Sequence, residues 1–479
     1  MLSERKSGIL MHISSLYGDY SIGSFGKNAK EFIDFIKENG FSYWQVLPFT
    51  VTDECNSPYK SVSAFGGNPY FIDLERLYEE GLLTKDELNG ARQHTPYESE
   101  YERLSVERLA LLDKANKRFS DREKINSFLA ENSSLSEFCR FMALKKVNGD
   151  KPWQEWEIFT PSANTLSLWE FLQYQFFTQW AEIKSYANSK GVKIIGDMPF
   201  YVAQDSCDVY ENREMFKLNE KGYPLSVAGV PPDYFSEDGQ LWGNPLYDFD
   251  KMSEDGFSWW KKRINHALKM FDGVRIDHFR AIESYWSVDA NEKTAKNGKW
   301  VKGPGMSLIN ALKEGNEDKL IIAEDLGDIT NEVRDLVEES GFPGMRVFQF
   351  AFLSDDNSLH MPHNHIQNSV VYSGTHDNNT LFGYLWESDE NTRQRTLDYV
   401  NFPGGDWGGA TPLLLRSVFS STASLAIIPV QDFLMYGSDT RINKPGIAKG
   451  NWTYRVTREQ LWNADCTFFK KMNAIYKRN

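Results

Sequence analysis

The 479-residue chain is poor in cysteine, and its few cysteines form no pattern that predicts a metal site or a disulfide framework. They lie far apart, outside any CxxC pair, at Cys55, Cys139, Cys207 and Cys466. We therefore expect four reduced thiols and a cytoplasmic location. The N-terminal residues lack the long apolar stretch of a signal peptide. No run approaches the roughly 20 apolar residues that a membrane helix needs, so no membrane partner is expected.

Excess positive charge is also absent, since 53 Lys and Arg residues face 67 Asp and Glu residues, giving a net charge of −14. Nucleic-acid binding requires clustered basic residues, so we expect no nucleic-acid partner. The charge suits a neutral ligand. The sequence has no P-loop and no GxSxG elbow, and Gly303-Pro304-Gly305 lacks the third glycine and the preceding strand of a dinucleotide fingerprint.

Aromatic residues are abundant, at 14% of the chain with 14 Trp, 22 Tyr and 32 Phe. Most of them must fill a large core, which the hydrophobic content of 41% also predicts. In a second interpretation a minority line a groove and stack on sugar rings. Both interpretations stay open at this point, because composition does not separate them.

Eight short apolar segments have the pattern of buried strands, and several are followed by helical patterns. Continuous apolar runs are typical of parallel strands that are covered on both faces. The clearest helical patterns, residues 28–40 and 329–341, each end in a glycine. Eight strands alternating with helices predict an α/β fold, a (β/α)8 TIM barrel with helical and loop insertions. The predicted strands are residues 8–13, 43–47, 192–197, 273–276, 320–323, 346–350, 370–373 and 425–430.

The spacing of these strands is uneven, which predicts two insertions in a single catalytic barrel spanning residues 1–479. Residues from about 50 to 190, after the second strand, have helical periodicity and predict a largely helical subdomain. Residues from about 201 to 271, after the third strand, carry Gly and Pro clusters and predict loops. Long loops in a compact domain are usually functional or disordered, and this region is too aromatic for disorder.

Three of the predicted strands run into a polar turn that carries a carboxylate. These are Asp277 in FDGVRIDHFR, Glu324 in KLIIAEDLGD and Asp377 in SVVYSGTHDNN. Parallel α/β folds place their chemistry just past the C-terminal ends of the strands, so we expect all three at one rim. A single such residue is most simply a helix N-cap or a surface charge. Three together suit sugar transfer, which uses a nucleophile, an acid/base and a further anion.

The neighbours of two carboxylates predict different protonation states. Arg275 lies two residues before Asp277 and points to the same face of the strand, which favours an ionised Asp277. Burial or the adjacent charge of Asp325 is expected to raise the pKa of Glu324 and suit it to act as an acid.

The segment HMPHNH, with His360, His363 and His365, superficially resembles a metal cluster. Imidazole is a common ligand of zinc and other metals, but spacing alone does not make a site. We favour a structured loop near the groove over a metal site.

Four segments resemble the signature segments of the α-amylase superfamily, namely DMPFYV at residues 197–202, VRIDHFR, AEDLG and GTHDN. Longer strings, such as SPYKSVSAFGGNPYFID, AGVPPDYFSEDGQLWGNPLYDF and PVQDFLMYGSDTRINKPG, resemble one branch of it. That branch is glycoside hydrolase family 77, the 4-α-glucanotransferases called amylomaltases or disproportionating enzymes. The α-amylases commonly have DxxxNH where this chain has DMPFYV, which supports the branch and removes one hallmark of the hydrolases.

The resemblance implies a role for each carboxylate, with Asp277 as nucleophile, Glu324 as acid/base and Asp377 as transition-state stabiliser. It also implies that the ring of Tyr59 stacks on the sugar in the donor subsite next to the cleaved bond. The GVPPDYF loop, residues 229–235, is similar to a loop that covers the acceptor side. The full substrate-binding set implied by the resemblance is Tyr59, Asp197, Trp242, Asn244, Arg275, His376 and Asn443.

The implied reaction is transfer of a 1,4-α-glucan segment to the 4-hydroxyl of an acceptor by a retaining double displacement. The implied partners are maltooligosaccharides and α-1,4-glucans, and family members need no metal and no organic cofactor. Two alternatives stay open, an α-amylase-like hydrolase of the same superfamily and a non-catalytic glucan-binding protein. The second would need aromatic residues but not three carboxylates with Arg275.

Overall fold

The structure is a computed structural model, and it describes residues 4–232, 237–353 and 357–479. Eight of the strands in these ranges pair in parallel and close into a barrel, in the order β1-β2-β3-β6-β9-β10-β11-β12 and back to β1. The strands of the described residues are β1 (Lys6–Leu10), β2 (Tyr43–Gln45), β3 (Lys193–Met198), β4 (Ser226–Val230), β5 (Gln240–Pro245), β6 (Gly273–Ile276), β7 (Ser284–Asp289), β8 (Lys299–Lys302), β9 (Leu320–Ala323), β10 (Gly344–Val347), β11 (Ser369–Tyr372) and β12 (Leu425–Pro429).

The predicted (β/α)8 barrel is confirmed, since each of the eight predicted segments overlaps one barrel strand. The boundaries of several strands differ, in part because an apolar run continues past the end of its strand. Residues 8–13 were expected as the first strand, but β1 ends at Leu10 and Ile13–Ser15 form a 3-10 turn. Residues 346–350 likewise divide between the end of β10 and a 3-10 turn at Phe348–Phe350. Burial is the same in strand and turn, so the apolar pattern does not mark the boundary.

Helices surround the barrel, and the two predicted with most support are present. Residues 28–40 contain α1, and Gly40 follows it with φ of 82°. Residues 329–341 contain α12, and Gly341 ends it with φ of 69°. The α-helices of the described residues are α1 (Lys27–Glu38), α2 (Leu74–Glu79), α3 (Lys85–Gly90), α4 (Tyr101–Arg118), α5 (Arg122–Ala130), α6 (Ser133–Val147), α7 (Ala163–Ser189), α8 (Cys207–Glu211), α9 (Phe249–Glu254), α10 (Ser258–Met270), α11 (Met306–Lys313), α12 (Asn331–Ser340), α13 (Leu381–Glu387), α14 (Glu390–Tyr399), α15 (Thr411–Ser420), α16 (Val430–Phe433), α17 (Arg458–Trp462) and α18 (Thr467–Ile475).

The region between β2 and β3 carries α2 to α7, and α4, α5 and α6 each pack against the 27-residue α7. Trp180 of α7 reaches Phe49 beyond the end of β2, with ring centres 4.6 Å apart. This contact ties the long helix to the core of the barrel. That this region is a separate subdomain stays a prediction.

Residues 201–271 hold more regular structure than the predicted loops, including α8, α9, α10, β4 and β5. Together β4, β5, β7 and β8 form a four-stranded antiparallel sheet in the order β5-β4-β7-β8. In the pairing of β4 with β7, Ala228 lies opposite Ser287, about 60 positions later in the chain. The Gly and Pro clusters predict turns, but they give no sign of a partner strand so far away in sequence.

The barrel interior is filled by side chains and forms a packed core rather than a pore. Ile195, Ile322, Met345 and Ile427 all point into it and are fully buried. A ligand can therefore reach the strands only at their ends. Within the part of the chain that the structure describes, no helix is both long enough and apolar enough to cross a membrane.

Candidate active site

The three carboxylates lie at the C-terminal rim of the barrel, directly after β6, directly after β9, and in the loop that follows β11. Backbone hydrogen bonds to the neighbouring strands fix the positions of two of them. The N–H of Asp277 donates to the carbonyl of Met198 at 3.0 Å, and the N–H of Glu324 donates to that of Ile276 at 3.1 Å. The charge of Asp377 raises the pKa of Asp277, and the charge of Asp277 raises the pKa of Glu324, as expected of close neighbours.

Arg275 bridges two carboxylates at the bottom of the site. One guanidinium nitrogen donates to both carboxylate oxygens of Asp197, at 2.8 and 2.9 Å, and the other lies 2.9 Å from Asp277. Burial raises the pKa of Asp277, and the charge of Arg275 opposes this rise. The net direction is upward, so Arg275 does not by itself set the charge of Asp277 as the sequence suggested.

Glu324 is 8% exposed, and its carboxylate accepts hydrogen bonds from the backbone N–H groups of His278, at 2.6 Å, and Leu326, at 2.8 Å. Burial raises the pKa of Glu324 to about 7. Arg275 and the two N–H groups oppose the rise, and the like charge of Asp277 adds to it.

The negative charge that raises the pKa of Glu324 is that of Asp277 and not that of its sequence neighbour Asp325. The carboxylate of Asp325 accepts from the N–H of Met345 at 2.6 Å and from Arg346 at 2.9 Å, and both partners lie on β10. The sequence expectation that Asp325 raises the pKa of Glu324 is therefore corrected in favour of burial and Asp277.

Asp377 is held by donors from a separate segment of the chain. Asn443 donates to one carboxylate oxygen at 2.6 Å, and the ring of His376 lies 3.3 Å from the other. Arg441 donates to the backbone carbonyl of Asp377 at 2.6 Å. The surrounding protein raises the pKa of Asp377 by desolvation, but His376 and Asn443 outweigh this and hold the pKa well below its usual range. Asp377 is thus a permanent anion at neutral pH.

Tyr59 connects these groups. Its hydroxyl donates to Asp197 at 2.8 Å, and its ring stacks on that of His376 with centres 5.0 Å apart and planes 15° from parallel. Trp452 packs beside both rings, 5.9 Å from Tyr59 and 6.0 Å from His376. The structure therefore brings together Tyr59, Asp197, Arg275 and His376.

Trp242 and Asn244 lie on β5, on the sheet beside the rim. The ring of Trp242 meets His278 edge to face at 4.8 Å, and Asn244 donates to the carbonyl of Val202 at 2.8 Å. In the loop at residues 229–235, Gly229 and Val230 belong to β4. Residues 233–235 lie outside the described residues.

Three further residues contribute to the site that sequence reasoning did not select. His278 has a left-handed backbone with φ of 50°, which aims its N–H at Glu324. Arg441 donates to the backbone of Asp377. Trp452 packs against the rings of Tyr59 and His376. His278 and Arg441 were within reach of sequence analysis, because each lies next to or near a selected residue in VRIDHFR or RINKPG.

The histidines of HMPHNH have separate partners. His360 accepts from the N–H of Val347 at 3.1 Å, His363 lies 3.0 Å from the hydroxyl of Tyr399, and His365 lies 2.6 Å from that of Ser421. These contacts support a structured loop. Among the described residues, no group of three or more His, Cys, Asp or Glu side chains is arranged to hold a metal ion.

Comparisons with known proteins agree along the whole chain. A sequence model of the family described as 4-alpha-glucanotransferase matches residues 11–460. The 4-alpha-glucanotransferase of Streptococcus pneumoniae is 43% identical over 497 residues, covering 100% of this chain and 98% of that protein. That of Clostridium butyricum is 43% identical over 490 residues, covering 98% and 100%. An amylomaltase from Streptococcus agalactiae, solved in complex with acarbose, has a TM-score of 0.95 at 38% identity, covering 99% of this chain and 100% of that one.

Proposed function

The chain belongs to the 4-alpha-glucanotransferase family, and on that premise we propose that Asp277, Glu324 and Asp377 carry out its reaction. It is an enzyme of carbohydrate metabolism with 4-alpha-glucanotransferase activity. In our proposal maltooligosaccharides and longer α-1,4-glucans serve as both donor and acceptor. The observation that carries the assignment is the pairing of Asp277, which faces Arg275 at 2.9 Å, with the buried Glu324.

In the first step the carboxylate of Asp277 attacks the anomeric carbon of the donor, and the bond to the glycosidic oxygen breaks. Glu324 gives its proton to that oxygen, which leaves as the 4-hydroxyl of a shorter sugar or glucose. The titrations of Asp277 and Glu324 are coupled. The ion pair between Arg275 and Asp277 therefore favours a charge on Asp277 and a proton on Glu324. The roles of nucleophile and acid follow from that asymmetry.

In the second step the 4-hydroxyl of another glucan attacks the covalent sugar ester on Asp277. Glu324, now a carboxylate, takes the proton of that hydroxyl, and the linkage re-forms with retained α configuration. Two inversions at the anomeric carbon give the retained configuration. At the end of the cycle Asp277 is again a free carboxylate and Glu324 is again protonated. The cycle uses side chains of this chain alone.

Positive charge develops on the sugar ring in both steps, and the fixed anion of Asp377 is suited to stabilise it. Asn443 and His376 keep that carboxylate ionised and oriented. Tyr59, stacked on His376, closes the same side of the site. These contacts support the roles of donor-subsite residues for Tyr59, His376, Arg275 and Asp197.

We also place the enzyme in the cytoplasm. All four cysteines are free, and two of them, Cys139 and Cys207, are buried. Free thiols are typical of reducing compartments.

The experiment that tests the proposed function is incubation with maltotriose, with products followed by chromatography and free glucose by a coupled assay. We expect glucose and a ladder of longer maltooligosaccharides while the number of reducing ends stays constant. Rising reducing ends without longer products would instead identify a hydrolase. An unchanged substrate would favour the glucan-binding protein. The Asp277→Ala protein, prepared in parallel, reports any contaminating activity.

A further inference from the structure

Three aromatic rings outside the site form a surface patch that we call the tryptophan platform, made of Phe382, Trp386 and Trp407. Trp386 is 61% exposed and is the most exposed of the 14 tryptophans. Its ring lies 5.2 Å from that of Trp407, at 70°, and 6.2 Å from that of Phe382. Single exposed apolar residues are common, but contiguous aromatic surface usually marks a binding site.

Arg393 of α14 holds the two tryptophans in place. Its guanidinium lies 4.2 Å from the ring centre of Trp407 and donates to the carbonyls of Leu385, at 3.2 Å, and Trp386, at 3.4 Å. The arginine thus fixes one ring directly and anchors the backbone of the other. A surface that is organised before binding loses less entropy when a ligand arrives.

The other two exposed tryptophans differ from Trp386. An arginine lies over each of them, Arg280 at 3.8 Å from the ring centre of Trp300 and Arg458 at 4.5 Å from that of Trp462. At the platform the arginine lies over Trp407, and most of Trp386 stays open. The exposure of Trp386 is therefore specific to this patch.

The platform continues from the rim of the active site. Helix α13, which carries Phe382 and Trp386, begins four residues after Asp377. Ser438 accepts from Asn379 at 3.1 Å and donates to Glu387 at 2.7 Å. The segment that includes Ser438 also supplies Asn443 to Asp377. The platform is therefore joined to the rim by α13 and by hydrogen bonds through Ser438.

We propose that the tryptophan platform binds a remote part of a long α-1,4-glucan whose reacting part occupies the active site. Pyranose rings have apolar C–H faces that pack on flat aromatic rings, with hydroxyl groups at their edges for polar neighbours. Carboxylates adjoin the two tryptophans in sequence, with Glu387 directly after Trp386 and Asp406 directly before Trp407. A net charge of −14 suits this uncharged polymer. The inference rests on the proposed function, because the occupant is its substrate.

Attachment at two places raises the effective concentration of the polymer at the active site without changing the chemical step. Short donors such as maltotriose fill the active site alone and gain nothing. The platform therefore predicts a preference for long chains that comes from KM and not from kcat.

The test uses the full-length Trp386→Ala protein, with Trp386→Phe as the variant that keeps a ring. Phe159→Ala is the matched control, since Phe159 is a 56% exposed aromatic residue in the helical region between β2 and β3. Transfer rates are measured against soluble amylose and against maltotriose. We expect Trp386→Ala to raise KM for amylose about fivefold with kcat retained, and Trp386→Phe to recover most of the loss. Maltotriose kinetics and the Phe159→Ala protein should match the wild type.

Equal amylose KM values for Trp386→Ala and the wild type would overturn the platform. Parallel losses on amylose and maltotriose would also overturn it, because they would indicate damage to the active site. Failure of the wild type to elongate maltotriose would instead contradict the proposed function, so the two failures are distinguishable.

Discussion

The two sides of the site are built differently. One, which we call the charged wall, comprises Tyr59, Asp197, Arg275 and His376, joined by ion pairs, a hydrogen bond and ring stacking. The other, the sheet wall, is β4 and β5 with Trp242 and Asn244, of which Trp242 meets the rim through the ring of His278. Fixed charges belong where charge develops in the transition state, whereas ring contacts suit a sugar that must enter and leave.

From this difference we propose that chemistry and acceptor choice are carried by separate parts of the structure. In the charged wall, Asp197 and Arg275 lie on barrel strands, and Tyr59 and His376 lie in the loops that follow β2 and β11. The strands of the sheet wall belong to the region between β3 and β6. Substitutions at the barrel rim should therefore lower the chemical rate, and substitutions on the sheet should change acceptor use.

Replacing the proposed nucleophile should cause the largest loss. Asp277→Asn keeps the shape of the side chain but removes the attacking charge, so kcat for maltotriose transfer should fall about 10⁴-fold or more. Asp318→Asn, which alters a 78% exposed carboxylate before β9 at the other end of the barrel, is the matched control. Near-normal transfer by Asp277→Asn would refute the assignment.

Removing the proposed acid should cost about 10³-fold on maltotriose, within the range of general acid catalysis. The loss in the first step should be much smaller with α-maltosyl fluoride as donor, since fluoride leaves without a proton. Single-turnover measurements on Glu324→Gln with both donors give the comparison. Equal losses on the two donors would assign Glu324 some other role.

The rate should depend on pH in a bell shape. The pKa of Glu324 is about 7, and an acid works only while protonated, so kcat should fall about tenfold per pH unit well above pH 7. The raised pKa of Asp277 should give a second fall toward acid, since a nucleophile works only when ionised. These limits belong to the coupled pair. A rate independent of pH between 6 and 9, measured with maltotriose, would contradict the arrangement.

The donor to Asp377 should matter less than the carboxylates. Asn443→Ala removes a 2.6 Å hydrogen bond to a charged group, and such bonds are worth about 1.5–3 kcal/mol, or roughly 10- to 100-fold in rate. Asn443→Asp should be worse, because it adds a like charge. Initial rates of the two variants, beside the exposed control Asn291→Ala, decide the point. A fully active Asn443→Asp protein would mean that the bond does not serve the reaction.

The smallest effect is expected on the sheet wall. Trp242→Ala should raise the KM for acceptor glucose about fivefold and increase the share of hydrolysis, with little change in the first step. Leu241→Ala is the matched control, since adjacent strand residues point to opposite faces. If Trp242→Ala lowers the rate of the first step as much as Asn443→Ala does, the distinction between the walls fails.

The barrel was predictable because its strands are buried on both faces and leave continuous apolar runs, such as LIIA at β9 and LAIIP at β12. The three carboxylates were predictable for a related reason, since each follows such a run and strand ends share one rim. Both signals are local in the sequence, so one amino-acid sequence is enough to detect them.

The rest depends on contacts between distant segments. Nothing near Glu324 in sequence reveals that Asp277 and not Asp325 adds the like charge, because Asp325 pairs with Arg346 of the next strand. Nothing in SPYKS predicts that Tyr59 stacks on His376, more than 300 residues away. The sheet was missed for the same reason, since β4 pairs with β7 and the two strands are separated in sequence by β6.

The order of that sheet's strands in the chain also affects how the protein folds during synthesis. Strands β4 and β5 leave the ribosome before β6, but β7 and β8 follow it, up to Lys302. The nascent chain must therefore hold half a sheet without its partner until both β6 and β7 have been made. Until then the edge of β4 that will meet β7 is open to other strands. Slow translation through residues 246–302 would lengthen the time during which that edge can pair with other chains.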